Sequence, residues 1–497
     1  MKRFYPRLLL ACTLVLSFAL LYVVQVRGEE YDCFSILVGR YATIDGSVLF
    51  GHNEDDSGDL LVDWYKVPAM HHNAGEFVML KNGGRIEQVR ETYGFLWLEM
   101  PGQDFADSYM NEWGVTIASN QCTSKETSGE LVDGGIGYYL RRIMAERAKT
   151  AREAVEIAGR IIENVGYCSS GRSYCIADPN EAWILSVVRG KHWVAERVPD
   201  DEVAVIPNYY TITRVDLGDT ANFLGCADLV DYAVQKGWYD PASGKEFNFR
   251  EAYSSCRALN AVWNIPRNLQ AVNLLSGKHY GYDDRLPFSF KPARRLSAQD
   301  IVSVLENHYE GTEFEMNPAF NHGNPHRCAV TRICSNSNRY GFVAQLRGSL
   351  PGDIGNVFWI APRRPCIQPF VPWYYGIDKI PPSYSRGDFK KALSSHFNGP
   401  KNLRNTARDH AYWYFNDYAA MVDRDYGALI GGIKKEKLSL EKQLFVGQAA
   451  FERKVLALYR VNPRRAKKML TDYTSKFAEE ILGITRQKLG AGKAKAK

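Results

Sequence analysis

The chain has 497 residues, enough for one large domain or up to about three ordinary ones. With 45% hydrophobic and 24% charged residues it holds ample apolar material for a core, which excludes a disordered, collagen-like or low-complexity polymer. Lys and Arg number 62 against 56 Asp and Glu, and the resulting +6 is too small and too scattered to argue a nucleic-acid surface.

Lys2, Arg3 and Arg7 precede an apolar run from Leu8 to Val26, and Val26-Arg27-Gly28 offers modest side chains where a signal peptidase reads. Residues 1–28 are therefore expected to direct export, to a periplasm or out of the cell. An uncleaved membrane anchor is the alternative, because the run approaches the roughly 20 apolar residues that span a bilayer. Residues 29–32, Glu29-Glu30-Tyr31-Asp32, read as a short propeptide before Cys33. No later apolar run reaches spanning length, so membrane contact is expected through the N-terminal segment alone.

From Cys33 the sequence predicts a β-hairpin: Phe34 to Val38 and Ser47 to Phe50 are β-rich, and Asp45-Gly46 is a turn signal between them. Further strands are predicted at Val115 to Ala118, Ser173 to Ala177, Ala182 to Val188, His192 to Arg197 and Val203 to Ile206. Ile136 to Val165 has helical periodicity, and Ser297 to Asn307 reads as a helix capped by Ser297 with Asp300 in its first turn. Strands are expected again at Ala329 to Cys334, Tyr340 to Leu346 and Val357 to Ile360. Asn402 to Gly490 is charged and helical in pattern, with breaks expected at Gly431-Gly432 and Pro463 and a frayed tail after Gly490. Residues 391–497 thus form a helical C-terminal extension, read as a structural cap. The order of elements argues an α+β fold of two antiparallel sheets with helical layers outside.

Setting aside Cys12 and Cys33 leaves Cys122, Cys168, Cys175, Cys226, Cys256, Cys328, Cys334 and Cys366, an even set that suits disulfides in an exported protein. Buried free thiols are the alternative. No CxxC, HExxH or His/Cys spacing typical of zinc is present, so neither a metal nor a cofactor is expected.

Cys33 opens a strand just after a plausible cleavage site. Cutting before it would place a thiol and an α-amine on one residue, and an α-amine with a pKa of about 7.7–8.0 can accept the thiol proton. On position alone a half-cystine is equally admissible. The stretch C-F-S-I-L-V-G-R-Y-A-T-I-D-G-S-V-L-F-G-H-N-E-D-D-S-G, Cys33 to Gly58, resembles the mature start of the dipeptidase A and secernin family of cysteine N-terminal nucleophile (Ntn) hydrolases. The resemblance continues through Met110 to Val115, Ile176 to Trp183, Arg197 to Glu202, Ile206-Pro207-Asn208, His308 to Thr312, Arg332-Ile333-Cys334 and Pro362 to Pro372. It implies an αββα sandwich over residues 33–390 that hydrolyses dipeptides or other small peptides after freeing its own Cys33.

The resemblance also implies roles. Cys33 is nucleophile and, through its amine, base; Asp55 orients that amine; Asn120 donates to the oxyanion; Asn208 positions the substrate carbonyl; Arg257 favours the thiolate. His52 departs from the family, which more often has arginine there, so activity is expected to fall as pH rises unless Arg257 supplies the charge. Two other functions fit the same residues: an amidase or acylase on non-peptide amides, and a noncatalytic binding protein with Cys33 in a disulfide. No nucleic-acid partner is expected, and a homo-oligomer is left open.

Overall fold

The computed structural model describes residues 33–261, 263–312, 314–315, 324–326 and 331–495. The expected signal and propeptide, with Cys12, lie outside the described residues, as does Cys328. Residues 32–497 belong to one compact unit. Among the described residues no helix is long and apolar enough to cross a membrane.

The strands that build the body are β1 (Phe34–Val38), β2 (Val48–Asp55), β3 (Asp63–Val67), β4 (Phe95–Glu99), β5 (Ser108–Asn111), β6 (Thr116–Gln121), β7 (Tyr167–Ala177), β8 (Ala182–Gly190), β9 (Trp193–Val198), β10 (Val203–Ile206), β11 (Phe223–Gly225), β12 (Ser289–Phe290), β13 (Asn338–Leu346), β14 (Asn356–Pro362) and β15 (Val371–Tyr374). The main helices are α1 (Tyr139–Arg147), α2 (Ala151–Val165), α3 (Ile265–Ser276), α4 (Ala298–Leu305), α5 (Ala411–Val422), α6 (Tyr426–Val461) and α7 (Pro463–Lys495). One sheet has seven strands in the order β12-β10-β1-β2-β13-β14-β15, the other eight in the order β11-β9-β8-β7-β6-β5-β4-β3. Neighbouring strands run antiparallel in both.

The sheets face each other, with β1 against β6 and β7; α1 and α2 cover the outer face of the larger sheet, and α3 and α4 that of the smaller. This is the αββα sandwich expected. It explains why β1 and β2 are buried along their whole length instead of alternating with solvent, since each strand is covered on both faces. Gly51 is required by this packing: a Cβ there would lie 2.4 Å from Cγ2 of Ile301, so only glycine lets α4 settle onto β2.

The β1–β2 hairpin follows the sequence, with Gly46 at φ 74° in the turn, but β2 runs five residues further, to Asp55. The long helical pattern divides into α1 and α2, where Thr150 caps α2 by accepting from the Glu153 amide at 3.0 Å. Ser297 and Asp300 form the reciprocal cap of α4. Residues 331–334 are not a strand: the Ile333 carbonyl accepts from Asn53 Nδ2 at 2.9 Å and the Cys334 amide donates to Asn307 at 3.1 Å, which turns the chain away from sheet pairing.

At the C-terminus, Pro463 separates α6 from α7, but Gly431-Gly432 does not break α6 and the tail stays helical to Lys495. Two glycines cost about 1 kcal/mol each in a helix, and packing of α6 on the body offsets that. Phe445 stacks on Trp359 with centroids 4.0 Å apart, and Arg347 forms two 2.7 Å hydrogen bonds to Glu452.

Candidate active site

Ser35 of β1 pairs with His52 of β2, so the two-residue period of a strand places Cys33, Ser35, His52 and Glu54 on one face, the face toward the other sheet. Asn120 of β6 meets them from across the sandwich. Cys33 is 3% exposed, and its thiol lies 3.2 Å from Glu54 Oε1 and 3.7 Å from the Asp55 carbonyl. Ser35 Oγ donates to Asn120 Oδ1 at 2.7 Å and sits 2.8 Å from His52 Nδ1. Because the one hydroxyl hydrogen goes to Asn120, His52 Nδ1 carries a hydrogen and donates it to Ser35. His52 Nε2 is then left facing Glu54 Oε2 at 3.1 Å, so the His52–Glu54 pair holds a further proton between its two groups.

Burial pushes the Cys33 thiol well above its ordinary value; the Glu54 and Asp55 carboxylates push it further, and Arg172 opposes them. Arg172, on β7, lies over the Phe105 ring at 4.1 Å and donates to Ser119 Oγ at 3.3 Å. With Asp32 still attached the Cys33 nitrogen is an amide, and the thiol beside it is protonated at rest.

Asp55 ends β2 at an irregularity in its pairing with β13, between Asn338 and Tyr340. Its Oδ1 accepts from Ser335 Oγ, from Ser337 Oγ at 2.8 Å and from Asn338 Nδ2 at 3.0 Å. Burial raises its carboxyl above the usual range, while the two serine hydroxyls and Arg267 pull it back.

The structure brings Asn120 to Cys33 directly and links Asn208 to it through Arg267. Asn120 Nδ2 donates to the carbonyl of Cys33 at 3.0 Å, of Ile206 at 2.8 Å and of Pro207 at 3.4 Å, so in this form its two hydrogens are taken up by main chain. Asn208 Nδ2 donates to the Gln121 carbonyl at 3.0 Å, and its Oδ1 accepts from Arg267 at 2.8 Å.

Arg257 is not at the site. It lies exposed on the four-residue helix Cys256–Leu259, with its guanidinium 5.5 Å from the Trp263 ring. The arginine that reaches Cys33 is the buried Arg267 of α3, whose Nη1 donates to the Cys33 carbonyl at 3.2 Å and whose Nη2 also bonds Asn264 Oδ1 at 2.9 Å. The signal was Pro266 beside it, which marks the first turn of a helix. Glu54 was legible as the residue two beyond His52, which period 2 turns toward Cys33.

The expectation of disulfides fails among the described residues: Cys33, Cys122, Cys168, Cys175, Cys226, Cys256, Cys334 and Cys366 are all free thiols. Cys122, Cys175 and Cys226 are buried and pack as small apolar side chains. The sequence spacing shows no zinc-like His/Cys motif, but the fold gathers such residues from separate segments. His308, His326, Cys334 and Cys366 converge, far from one another in sequence but close in space.

The chain is similar to several known proteins. Peptidase family C69 matches residues 32–438. A probable dipeptidase of Latilactobacillus sakei is 26% identical over 81% of this chain and 83% of its own length. A probable dipeptidase of Salmonella dublin is 28% identical over 74% of this chain and 86% of its own. Penicillin V acylase from Agrobacterium tumefaciens aligns with 66% of this chain and 82% of its own at 12% identity and a TM-score of 0.34. The match starts one residue before the buried cysteine at the head of β1 and takes in the whole sandwich, and this chain belongs to peptidase family C69.

Proposed function

We propose that this chain is a dipeptidase whose nucleophile is Cys33, freed when the chain cuts its own Asp32–Cys33 bond. The observation that carries the reading is the position of Cys33 at the head of β1: its thiol is enclosed beside Glu54 and Asp55, and its carbonyl is held by Asn120 and Arg267. A thiol so placed needs only a free amine to have a base of its own.

In the uncut chain the base within reach is Glu54. It takes the thiol proton, the thiolate adds to the Asp32 carbonyl carbon, and the carbon–nitrogen bond breaks as the nitrogen takes that proton back. Water then hydrolyses the thioester, leaving a carboxylate on Asp32 and both thiol and amine on Cys33. In turnover the amine accepts the thiol proton, the thiolate attacks the dipeptide carbonyl, the leaving amine is protonated by the Cys33 ammonium, and water releases the second product. Asp55 balances the ammonium, Asn120 and Arg267 hold the Cys33 main chain, and Asn208 is the donor we assign to the substrate carbonyl.

The test is hydrolysis of a dipeptide panel, read as release of free amino acids. The wild-type chain is expected to be active and to lose activity on alkylation, whereas Cys33→Ala retaining activity would refute the reading. We also read Leu8 to Val26 as an export signal, which predicts the mature chain outside the cytoplasm on cell fractionation.

A further inference from the structure

Three segments that resemble the family have no part in the Cys33 centre: His308 to Thr312, Arg332 to Cys334 and Pro362 to Pro372. The fold brings them together. His308 follows α4, Cys334 precedes the loop around Asp55, Cys366 follows β14, and His326 joins them from the segment between. All four side chains are buried, and their ligand atoms lie within 4.8 Å of one another.

The spacing of those atoms is that of a coordination shell. His308 Nε2 and His326 Nε2 are 3.1 Å apart, and His326 Nε2 is 3.4 Å from Cys366 Sγ and 3.9 Å from Cys334 Sγ. A tetrahedron with zinc–nitrogen bonds of about 2.05 Å and zinc–sulfur bonds of about 2.3 Å has edges of about 3.3 Å for N···N and about 3.6 Å for N···S. The ring orientation agrees. His308 Nδ1 lies 3.1 Å from Glu310 Oε1 and His326 Nδ1 lies 3.0 Å from Asp423 Oδ1, so each ring turns its Nε2 toward the common centre. With hydrogens on both Nδ1 atoms, the two Nε2 atoms face each other as acceptors, an arrangement that one shared proton or one metal ion satisfies. The surroundings balance charge as well: Arg364 pairs with Asp423, approaching His326 Nδ1 at 2.9 Å, and Lys434 lies 3.8 Å from Glu310. Two thiolates would then neutralise a dication.

We propose that His308, His326, Cys334 and Cys366 bind one zinc ion in a closed, structural Cys2His2 site. All four positions are filled by protein, so the ion has no place for substrate. Its role is mechanical. Cys334 is followed by Ser335, which holds Asp55, and Asp423 belongs to the junction of α5 and α6, so the ion ties the loop behind the catalytic centre to the C-terminal helices.

The test is the metal content of the full-length chain, purified without chelator from zinc-supplemented cells. About one zinc per chain is expected, and the cobalt-substituted protein should show the intense visible bands and thiolate charge transfer of tetrahedral coordination. Cys366→Ser and His308→Ala should lose the metal. Should those variants not fold, the cobalt spectrum of the wild-type chain decides. Cys33→Ala should keep its zinc, which separates this site from the catalytic reading. A wild-type chain without metal, or one in which mass spectrometry finds Cys334 and Cys366 joined by a disulfide, would overturn the proposal.

Discussion

The thiol of Cys33 and the carboxylate of Glu54 lie 3.2 Å apart in a space closed to solvent, and the other oxygen of the same carboxylate meets His52 at 3.1 Å. Glu54 is therefore the link between nucleophile and histidine. Glu54→Gln keeps the volume and removes the base, so self-cleavage should slow by about a hundredfold or more, seen as uncut chain by intact-mass measurement over time. Cleavage at the wild-type rate would assign the proton to another group.

Arg267 and Arg257 provide a paired comparison. Arg267→Ala removes a buried guanidinium that bonds the Cys33 carbonyl, Asn208 and Asn264, and should lower kcat/KM by about a hundredfold or more. Arg257→Ala removes an exposed side chain stacked on Trp263 and should leave kcat/KM within about twofold and stability within about 0.5 kcal/mol. Steady-state kinetics on both variants reads the difference directly.

Glu196 on β9 makes stability depend on pH. Burial raises its carboxyl to about 8 against the pull of Arg250 and Arg214, and its Oε2 has no hydrogen-bond partner among the described residues. An acid whose folded value is raised favours the protonated folded state. Its contribution is complete below the unfolded value of about 4.3 and is lost as pH rises toward 8. Glu196→Gln should therefore raise Tm at pH 8 and leave it nearly unchanged at pH 4, in thermal melts at the two values.

The C-terminal helices are held by buried polar contacts as well as by apolar packing. Arg347 and Glu452 have side chains only 9% and 8% exposed, and removing either leaves its partner charged and buried. Glu452→Ala should cost about 3 kcal/mol or more in chemical denaturation, whereas replacing the pair by leucines should cost much less.

The sequence was most legible where local rules decide. The β-rich runs on either side of Asp45-Gly46 announce the hairpin behind Cys33, and Ser297 with Asp300 announces the start of α4. It was least legible where tertiary packing decides. β3, β4 and β5 are short runs that become strands by adding to the edge of an existing sheet. Gly431-Gly432 reads as a break but lies in a helix held by the body. Arg257 and Arg267 cannot be told apart until α3 is laid against β10, and the His–Cys cluster has no sequence spacing because its ligands arrive from separate loops.

The most direct test of the account is the N-terminal residue of the active protein, determined by intact mass and terminal sequencing beside the dipeptidase assay. The account predicts that activity appears only in chains beginning at Cys33 and that Cys33→Ala stays uncut and inactive. An active chain in which Asp32 is still joined to Cys33 would contradict it.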